Sequence, residues 1–226
     1  MKSASRLFTD SDRRRINECV CAGESHTSAE IVPVVATVSG RYDRAEDLAG
    51  LWLGVLLMIP VAIIWPAPLR ADSGSWGSSS PVWFIVRLVL AVVAGFIAGA
   101  VVSSRVGWLR RLFTPRIQMA DEVNQSARTV FFDNRVHHTR TGGGVLIYVS
   151  LFEHVAAILA DRHVIEMIGQ PTIDELCVLL TRQLSVVGPT EALCQTIQAV
   201  GERLAKVMPR AKDDVNELPD ALVTIG

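Results

Sequence analysis

The sequence lacks the short motifs that mark several common enzyme classes. It contains no GxSxG nucleophile elbow, no HExxH zinc motif, no Walker loop with its lysine, and no Cys/His spacing typical of a zinc site. The glycine run 142–144 lacks the downstream Lys-Thr that a phosphate-binding loop needs, and we interpret it as a flexible start of a strand. No reaction class is therefore indicated by a motif alone.

An excess of charge of one sign is also missing. The chain carries 22 Lys and Arg against 23 Asp and Glu, a net charge of −1, so nothing predicts binding to a polyanion and nucleic acid is not an expected partner. The four cysteines form no CxxC pair, and we interpret Cys19, Cys21, Cys177 and Cys194 as reduced, semi-buried residues of helices. The first 15 residues have no apolar core, so a cleaved secretory signal is not expected.

What the chain does have is two long apolar runs. Residues 48–65 contain no charge, and as a helix they rise about 27 Å, enough to cross a hydrocarbon core. Residues 82–104 form a second run, whose one charge, Arg87, can reach the headgroups. We predict transmembrane helices at 48–66 and 82–104, joined by a Ser/Gly/Pro-rich turn; the alternative is a buried helical hairpin of a soluble protein.

The basic residues around these runs predict the orientation. Arg41 and Arg44 precede the first run, four arginines (Arg105, Arg110, Arg111 and Arg116) follow the second, and the intervening turn holds only Arg70. Because arginine and lysine are enriched on the cytoplasmic side, we expect an integral protein of the bacterial inner membrane with both termini in the cytoplasm.

The remaining sequence has the pattern of a globular domain. Thr9 and Asp12 have capping-box spacing and predict a helix over 9–24, and Val/Ile-rich residues 29–40 predict a strand, in which Pro33 suggests an edge position or a bulge. A helix from about Tyr42 runs into the first apolar span. A second amphipathic helix is predicted over about 115–136.

A β-hairpin is predicted next. Val145–Leu151 and Val155–Ala160 are apolar runs joined by three residues, which forces antiparallel pairing; a continuous helix is the alternative. Two helices follow. Thr172 and Glu175 predict a capping box for the first, which stops at Gly188, and the last ends at Pro209.

The strand in the first 47 residues cannot remain unpaired without losing its ladder hydrogen bonds. We therefore expect it to pair with the later hairpin, so that residues 1–47 and 112–226 form one discontinuous domain interrupted by the membrane helices. The fold class is α/β, with a small mixed β-sheet layered with α-helices.

Three segments resemble the TPM-domain family: ESHTSAEIVPVVA (24–36), GVLIYVSLFEHVAAILADRH (144–163) and DDVNELPD (213–220). The resemblance covers most of the chain outside the apolar runs. Within the family, the chain looks closest to the short bacterial members that carry transmembrane helices. The family includes a thylakoid acid phosphatase and a photosystem II repair factor. A TPM-like mixed sheet between helices is the fold that the resemblance implies.

The resemblance also implies a divalent cation such as calcium, bound by acidic loops. The positions closest to such a site are Asp43, Asp47 and Asp161. If the chain is a phosphatase, Asp161, Arg162 and His163 supply a carboxylate, a cation and a proton shuttle at a strand end, where α/β domains often place their sites. The alternative is an exposed polar turn.

Two other polar groups have competing interpretations. The acidic residues after the last helix, Asp213, Asp214, Asn216, Glu217 and Asp220, offer oxygen ligands for a hard cation but also fit a solvated tail. His137 and His138 lie between two arginines and suit either a phosphate headgroup near the bilayer or an ordinary surface. Glu153 and His154 are interpreted as turn residues.

Two functions are consistent with these patterns. The first is a membrane-anchored TPM-like domain that binds an unknown protein partner or an ion at the bilayer surface. The second is a divalent-metal-dependent phosphomonoesterase, expected from the family resemblance alone. A transporter or channel is disfavoured, because two spans leave no room for a polar pathway unless several copies assemble.

Overall fold

The structure is a computed structural model that describes residues 3–65, 81–106, 111–112, 114–140, 142–211, 213 and 215–226, without the side chains of 43–45 and 81. The described residues form eight helices and four strands. In chain order these are α1 (Ala4–Leu7), α2 (Asp10–Glu24), β1 (Glu30–Ala36), α3 (Asp43–Ile64), α4 (Pro81–Arg105), α5 (Arg116–Asp133), β2 (Gly144–Ser150), β3 (Val155–Ala160), α6 (Arg162–Ile168), α7 (Gln170–Val186), α8 (Pro189–Val207) and β4 (Val223–Ile225).

The strands form one mixed sheet in the order β3-β2-β1-β4. β1 pairs with β2 in parallel over its whole length, from Glu30 opposite Gly144 to Ala36 opposite Ser150. β2 and β3 form the predicted antiparallel hairpin, and β4 runs parallel to the end of β1. The mixed α/β class is therefore confirmed, and the early strand does find its neighbours in the later part of the chain.

Helices cover both faces of this sheet. Alternate residues of β1 separate the two cores: Ile31 and Val35 pack with residues of α2, α7 and α8, whereas Val32 and Val34 pack with α5. The face toward α5 is completed by Val123, Ala127 and Phe131, the residues of the predicted amphipathic stripe, and by strand residues such as Leu146 and Tyr148. The sheet is thus the middle layer of three.

The chain divides into two compact units. Residues 1–40 and 117–226 form the sheet unit, and residues 41–116 form the helix-pair unit, which contains α3 and α4. Both helices include a segment long and apolar enough to cross a membrane, Glu46–Ile64 and Val82–Arg105. Only 17% of the first segment and 11% of the second is buried. A buried hairpin of a soluble protein would cover far more of this apolar surface.

The contact between α3 and α4 is made by glycines. A Cβ atom on Gly95 would lie 2.6 Å from the Cα of Gly54, and one on Gly99 would lie 2.8 Å from the Cα of Gly50. Each helix carries its pair with GxxxG spacing, the arrangement that lets two helix backbones approach closely within lipid. The larger apolar side chains, among them Trp52, Leu90 and Ile97, are exposed on the surface of the helix pair.

One predicted feature of the sheet unit is wrong, and another holds for a single residue of its strand. Thr172 and Glu175 do not form a capping box, because α7 begins at Gln170 after Gly169, whose φ of +79° turns the chain, and Thr172 Oγ1 donates to the Ile168 carbonyl. Pro33 does have an edge position, although the strand that contains it is not an edge strand. β1 is internal, but β4 pairs only with Val34–Ala36, so Pro33 has a strand neighbour on one side alone.

Two other corrections concern glycine and cysteine. Gly144 is not a flexible lead-in: it is the first paired residue of β2, and a Cβ there would lie 1.8 Å from the Val136 carbonyl oxygen. The four cysteines are not all reduced, because Cys19 of α2 and Cys194 of α8 form a disulfide with Cα atoms 5.4 Å apart. Cys21 and Cys177 remain as thiols.

Candidate functional sites at the two edges of the sheet

Asp161 lies where β3 ends and α6 begins. Its backbone N–H donates to the Gly144 carbonyl at 2.8 Å, and its Oδ1 accepts from the N–H of Arg162 at 2.6 Å. Because β3 is antiparallel to β2, this position lies at the end of the sheet where the parallel strands β1 and β2 start. We call it the amino edge. The carboxylate acts here as an N-cap, which satisfies one of the free donors at the helix start.

The neighbours of Asp161 are turned to the surface. Arg162 Nε donates to Glu166 Oε1 at 2.8 Å, one helical turn later, and the Arg162 side chain is 90% exposed. His163 is also exposed. The three side chains predicted to act together therefore sit at one helix start, where two of them make local structural contacts.

The predicted metal ligands fall in different units. Asp161 belongs to the sheet unit, whereas Asp43 and Asp47 begin α3 in the helix-pair unit. Asp47 is exposed, and the side chain of Asp43 is outside the described residues. Across the described part of the chain, no three His, Cys, Asp or Glu side chains are grouped so as to hold a metal ion.

Acidic side chains instead gather in a small cavity of about 180 Å³ at the amino edge. Glu24 at the end of α2, Glu30 at the start of β1 and Asp220 before β4 line it; we call these three residues the acidic pocket. Arg210 also lines the cavity. The pocket exists because β1 follows α2 after a short turn and the last strand returns beside β1.

Burial raises the pKa of Glu24 to about 8, with a further increase from the carboxylates of Glu30 and Asp220. The hydrogen bond that Glu24 Oε1 accepts from the Ile31 N–H, at 2.6 Å, and the charge of Arg210 oppose this rise. Glu24 therefore holds a proton at neutral pH. A carboxyl group with this pKa can exchange a proton near pH 7, or lose it to a bound cation.

The acidic residues after α8 are folded against the domain. Glu217 accepts from the Arg140 N–H at 3.0 Å, and its own N–H donates to Glu30 Oε1 at 3.2 Å. Asp220 Oδ2 accepts from the Cys21 thiol at 3.0 Å, a bond that raises the pKa of this thiol. Asp214 is outside the described residues. The hydrogen bonds of Glu217 and Asp220 hold the C-terminal segment against the sheet unit.

A second polar group lies at the opposite edge, where β1 and β2 end. Glu153 Oε1 accepts from the backbone N–H groups of Ser39 and Gly40 at 2.9 and 3.2 Å, and Ser150 Oγ donates to Glu153 Oε2. Ser39 Oγ bonds the Tyr148 hydroxyl at 2.9 Å. We call Ser39, Tyr148, Ser150 and Glu153 the carboxyl-edge network.

The carboxyl-edge network is buried and internally bonded. Glu153 is 6% exposed and Tyr148 1% exposed. Burial raises the pKa of the Tyr148 phenol, and the Glu153 carboxylate adds to this rise, so the phenol stays protonated and available as a donor. The network fixes the loop through which the chain leaves β1 toward α3. Glu153 is thus more than the turn residue that the sequence suggested.

The two histidines of the 135–140 segment make ring contacts. His137 lies with its ring centre 4.9 Å from that of Phe132 and 6.1 Å from that of Phe131, at the end of α5. His138 is next to it, with a centroid separation of 6.3 Å. The headgroup-binding interpretation remains a prediction, and the observed contacts are those of aromatic packing.

Sequence reasoning missed the acidic pocket and the role of Glu153. A signal for both was present: Glu30 opens a strand of otherwise apolar residues, and Glu153 comes three residues after the end of one. Buried carboxylates require donors or protons. Their partners come from distant segments, which no local pattern reveals.

No protein-family model matches the chain, and no curated protein matches it. Among solved structures, the chain is similar to the NMR structure of the BA42 protein from the psychrophilic bacterium Bizionia argentinensis sp. nov.. The TM-score is 0.57 at 17% sequence identity, and the match covers 100% of both chains. At this identity the likeness concerns the fold alone: a similar arrangement of helices and strands is found in the BA42 protein.

Proposed function

We propose that this chain is a membrane-anchored TPM-like domain that binds a protein partner or an ion at the bilayer surface. The observation that carries the anchor is the surface of the helix-pair unit. Its glycines lie in the α3–α4 contact, and its leucine, isoleucine, valine and tryptophan side chains point outward. A hydrocarbon environment is the one in which this distribution is favourable.

The anchor is tested by extraction from membranes. The full chain is expected to stay with the bilayer in alkaline carbonate and to be released by detergent. Leu90→Arg and Ile97→Arg, at side chains 61% and 57% exposed on α4, place charges on the lipid-facing surface and are expected to weaken retention. Arg87→Leu, on the same helix, serves as a matched control. Release of the unaltered chain by carbonate would contradict the anchor.

A binding role is favoured over catalysis by how the polar side chains are used. Asp161 caps a helix and Arg162 pairs with Glu166, while Glu153 of the carboxyl-edge network accepts from Ser39, Gly40 and Ser150. These side chains stabilise the fold, and a substrate would have to displace them. For the ion-binding role, the acidic pocket offers a proton-exchanging group in Glu24, but its three carboxylates are not grouped as the ligands of a metal ion.

The second function, a divalent-metal-dependent phosphomonoesterase, is tested on the same preparation. The full chain in detergent is assayed on a generic phosphomonoester with and without calcium or magnesium. If the binding function is right, turnover stays at background under all conditions. Metal-dependent turnover that Asp161→Asn abolishes, and that Glu166→Gln on the next turn does not, would establish the enzyme instead.

A further inference from the structure

The Cys19–Cys194 disulfide lies in the wall of a groove between α2 and α8, with a volume of about 850 Å³. This volume is within the range of sites for small molecules. The groove shares no residue with the acidic pocket or the carboxyl-edge network. Its chemistry is therefore separate from the function proposed above.

The two sulfur atoms differ in access. Both cysteines line the groove, but Cys194 is only 6% exposed, whereas Cys19 is half-buried. Thiol–disulfide exchange requires that an incoming sulfur reach one atom of the bond. Cys19 is therefore the more accessible of the two residues.

The charges around the groove are mixed. Arg15, His26 and Lys206 supply basic groups, and Glu191 and Glu202 supply acidic ones. Arg15 and Glu191 form an ion pair across the groove, with side chains 60% and 36% exposed. A small peptide that carries both carboxylates and an ammonium group is complementary to such a lining.

The α2–α8 contact does not depend on the disulfide alone. A Cβ on Gly201 would lie 2.7 Å from the Gly23 carbonyl oxygen, so the helix backbones touch below the sulfur atoms. Thr190 Oγ1 also donates to Asp12 Oδ1 at 3.1 Å. The packed interface holds both cysteines in place when the bond is open, which allows the bond to form and break reversibly.

We propose that the α2–α8 groove is a binding site for a low-molecular-weight peptide thiol and its disulfide, through which Cys19–Cys194 is reversibly reduced and formed. In reduction, a thiolate RS⁻ attacks Cys19 Sγ, the Cys19–Cys194 bond breaks, and Cys194 leaves as a thiolate. A second RS⁻ attacks the sulfur of the R group in the mixed disulfide, which releases RSSR and the Cys19 thiolate. The two protein thiolates take up the protons of the two RSH molecules; formation of the bond is the reverse.

The first test follows the oxidation state of the pair. The full chain with Cys21→Ser and Cys177→Ser, in detergent micelles, is equilibrated with varied ratios of glutathione and glutathione disulfide. The trapped protein is then labelled with a polyethylene-glycol maleimide. As the ratio shifts from glutathione to glutathione disulfide, we expect a single transition from chains that carry two maleimide labels to chains that carry none. Two labels at every ratio, with an unchanged circular dichroism spectrum, would overturn the proposal.

The second test identifies the attacked sulfur. In the same background, Cys194→Ser keeps only Cys19, and Cys19→Ser keeps only Cys194. With glutathione disulfide, Cys19 is expected to form a mixed disulfide several-fold faster than Cys194, as read by mass spectrometry of the intact chain. Equal rates, or a faster reaction at Cys194, would contradict the assignment of the groove as the route of access.

The third test asks whether the groove recognises the peptide. Lys206→Gln and Arg15→Gln are expected to slow reduction by glutathione roughly two- to five-fold, the size that an exposed ion pair supports, and to leave reduction by neutral 2-mercaptoethanol unchanged. Arg203→Gln, on α8 but outside the groove lining, is the matched control. No effect on glutathione, or an equal effect on both reagents, would overturn recognition by the groove.

Discussion

The sheet unit and the helix-pair unit treat similar apolar side chains in opposite ways. Leu180 on α7 is completely buried beneath the sheet, whereas Leu90 on α4 is 61% exposed. In the sheet unit large side chains such as Leu180 fill the core between elements, although Gly23 and Gly201 also meet between α2 and α8. In the helix pair the glycines make the contact between the two helices. The difference is the one that the proposed membrane anchor would require, since water drives an apolar side chain inward and lipid has no such preference.

The largest effect is expected when two leucines, one in each unit, are replaced by alanine and compared. Leu180→Ala removes a fully buried side chain and should lower the free energy of unfolding of the sheet unit by about 2–5 kcal/mol. Leu90→Ala should change it by no more than about 0.5 kcal/mol. Denaturant unfolding in micelles, followed by circular dichroism, measures the free energy of unfolding of both variants. Similar losses in the two variants would mean that Leu90 is packed like a core residue.

A pH series sharpens the comparison inside the sheet unit. The pKa of Glu24 is raised to about 8 in the folded chain, so the folded state holds a proton that the unfolded state has released above pH 4.5. The free energy of unfolding should therefore fall as the pH rises from about 5.5 to about 8.5, by on the order of 3 kcal/mol. Thermal unfolding at both pH values provides the measurement.

Glu24→Gln is the control for this pH effect. The amide oxygen can still accept from the Ile31 N–H, but it does not titrate. The variant should lose most of the pH dependence over this interval. An unchanged slope would assign the effect to other carboxyl groups.

The glycine contact is the corresponding weak point of the helix pair. Gly95→Leu places a side chain where even a Cβ meets the Gly54 backbone at 2.6 Å, and overpacking of this kind costs roughly 2 kcal/mol. The helices should separate while the sheet unit keeps its stability. Ala98→Leu, at an exposed position on the same helix, should do neither. Cross-linking of cysteines introduced on facing turns of α3 and α4 reports the separation, and equal cross-linking in both variants would refute the glycine contact.

The smallest effect is expected at the carboxyl-edge network. Glu153→Ala leaves the Ser39 and Gly40 N–H groups without their side-chain acceptor and should cost about 1.5 kcal/mol in the free energy of unfolding. Glu153→Gln keeps an acceptor and should cost less. Glu166→Gln, at an exposed carboxylate, is the surface control. A loss in Glu166→Gln as large as in Glu153→Ala would show that burial of Glu153 is unimportant.

Patterns with a local cause were predictable from the sequence. The Thr9–Asp12 capping box opens α2 as expected, and the hairpin of β2 and β3 follows from two apolar runs with a three-residue connection. The pairing of β1 with the later hairpin was also inferred, because a lone strand cannot satisfy its ladder; its parallel direction was not. Each of these depends on residues that are close in sequence or on a simple hydrogen-bond requirement.

Features that depend on distant partners were not predictable. β4 has only three residues and forms because β1 offers it an open edge. The disulfide joins cysteines 175 residues apart, and the acidic pocket joins α2, β1 and the segment before β4. In each case the decisive fact is which segments meet in space. The spacing of residues along the chain carries no record of it.

The order of the strands along the chain has a consequence for biosynthesis. β1 is made early, but both of its neighbours, β2 and β4, are made after the apolar helices. Roughly 100 residues separate β1 from β2, so at ribosomal rates a nascent strand waits on the order of ten seconds with its polar backbone unmatched. During that interval it is open to pairing with other chains. Early insertion of the helix pair, or a chaperone that shields residues 30–36, would protect the chain until its sheet can close.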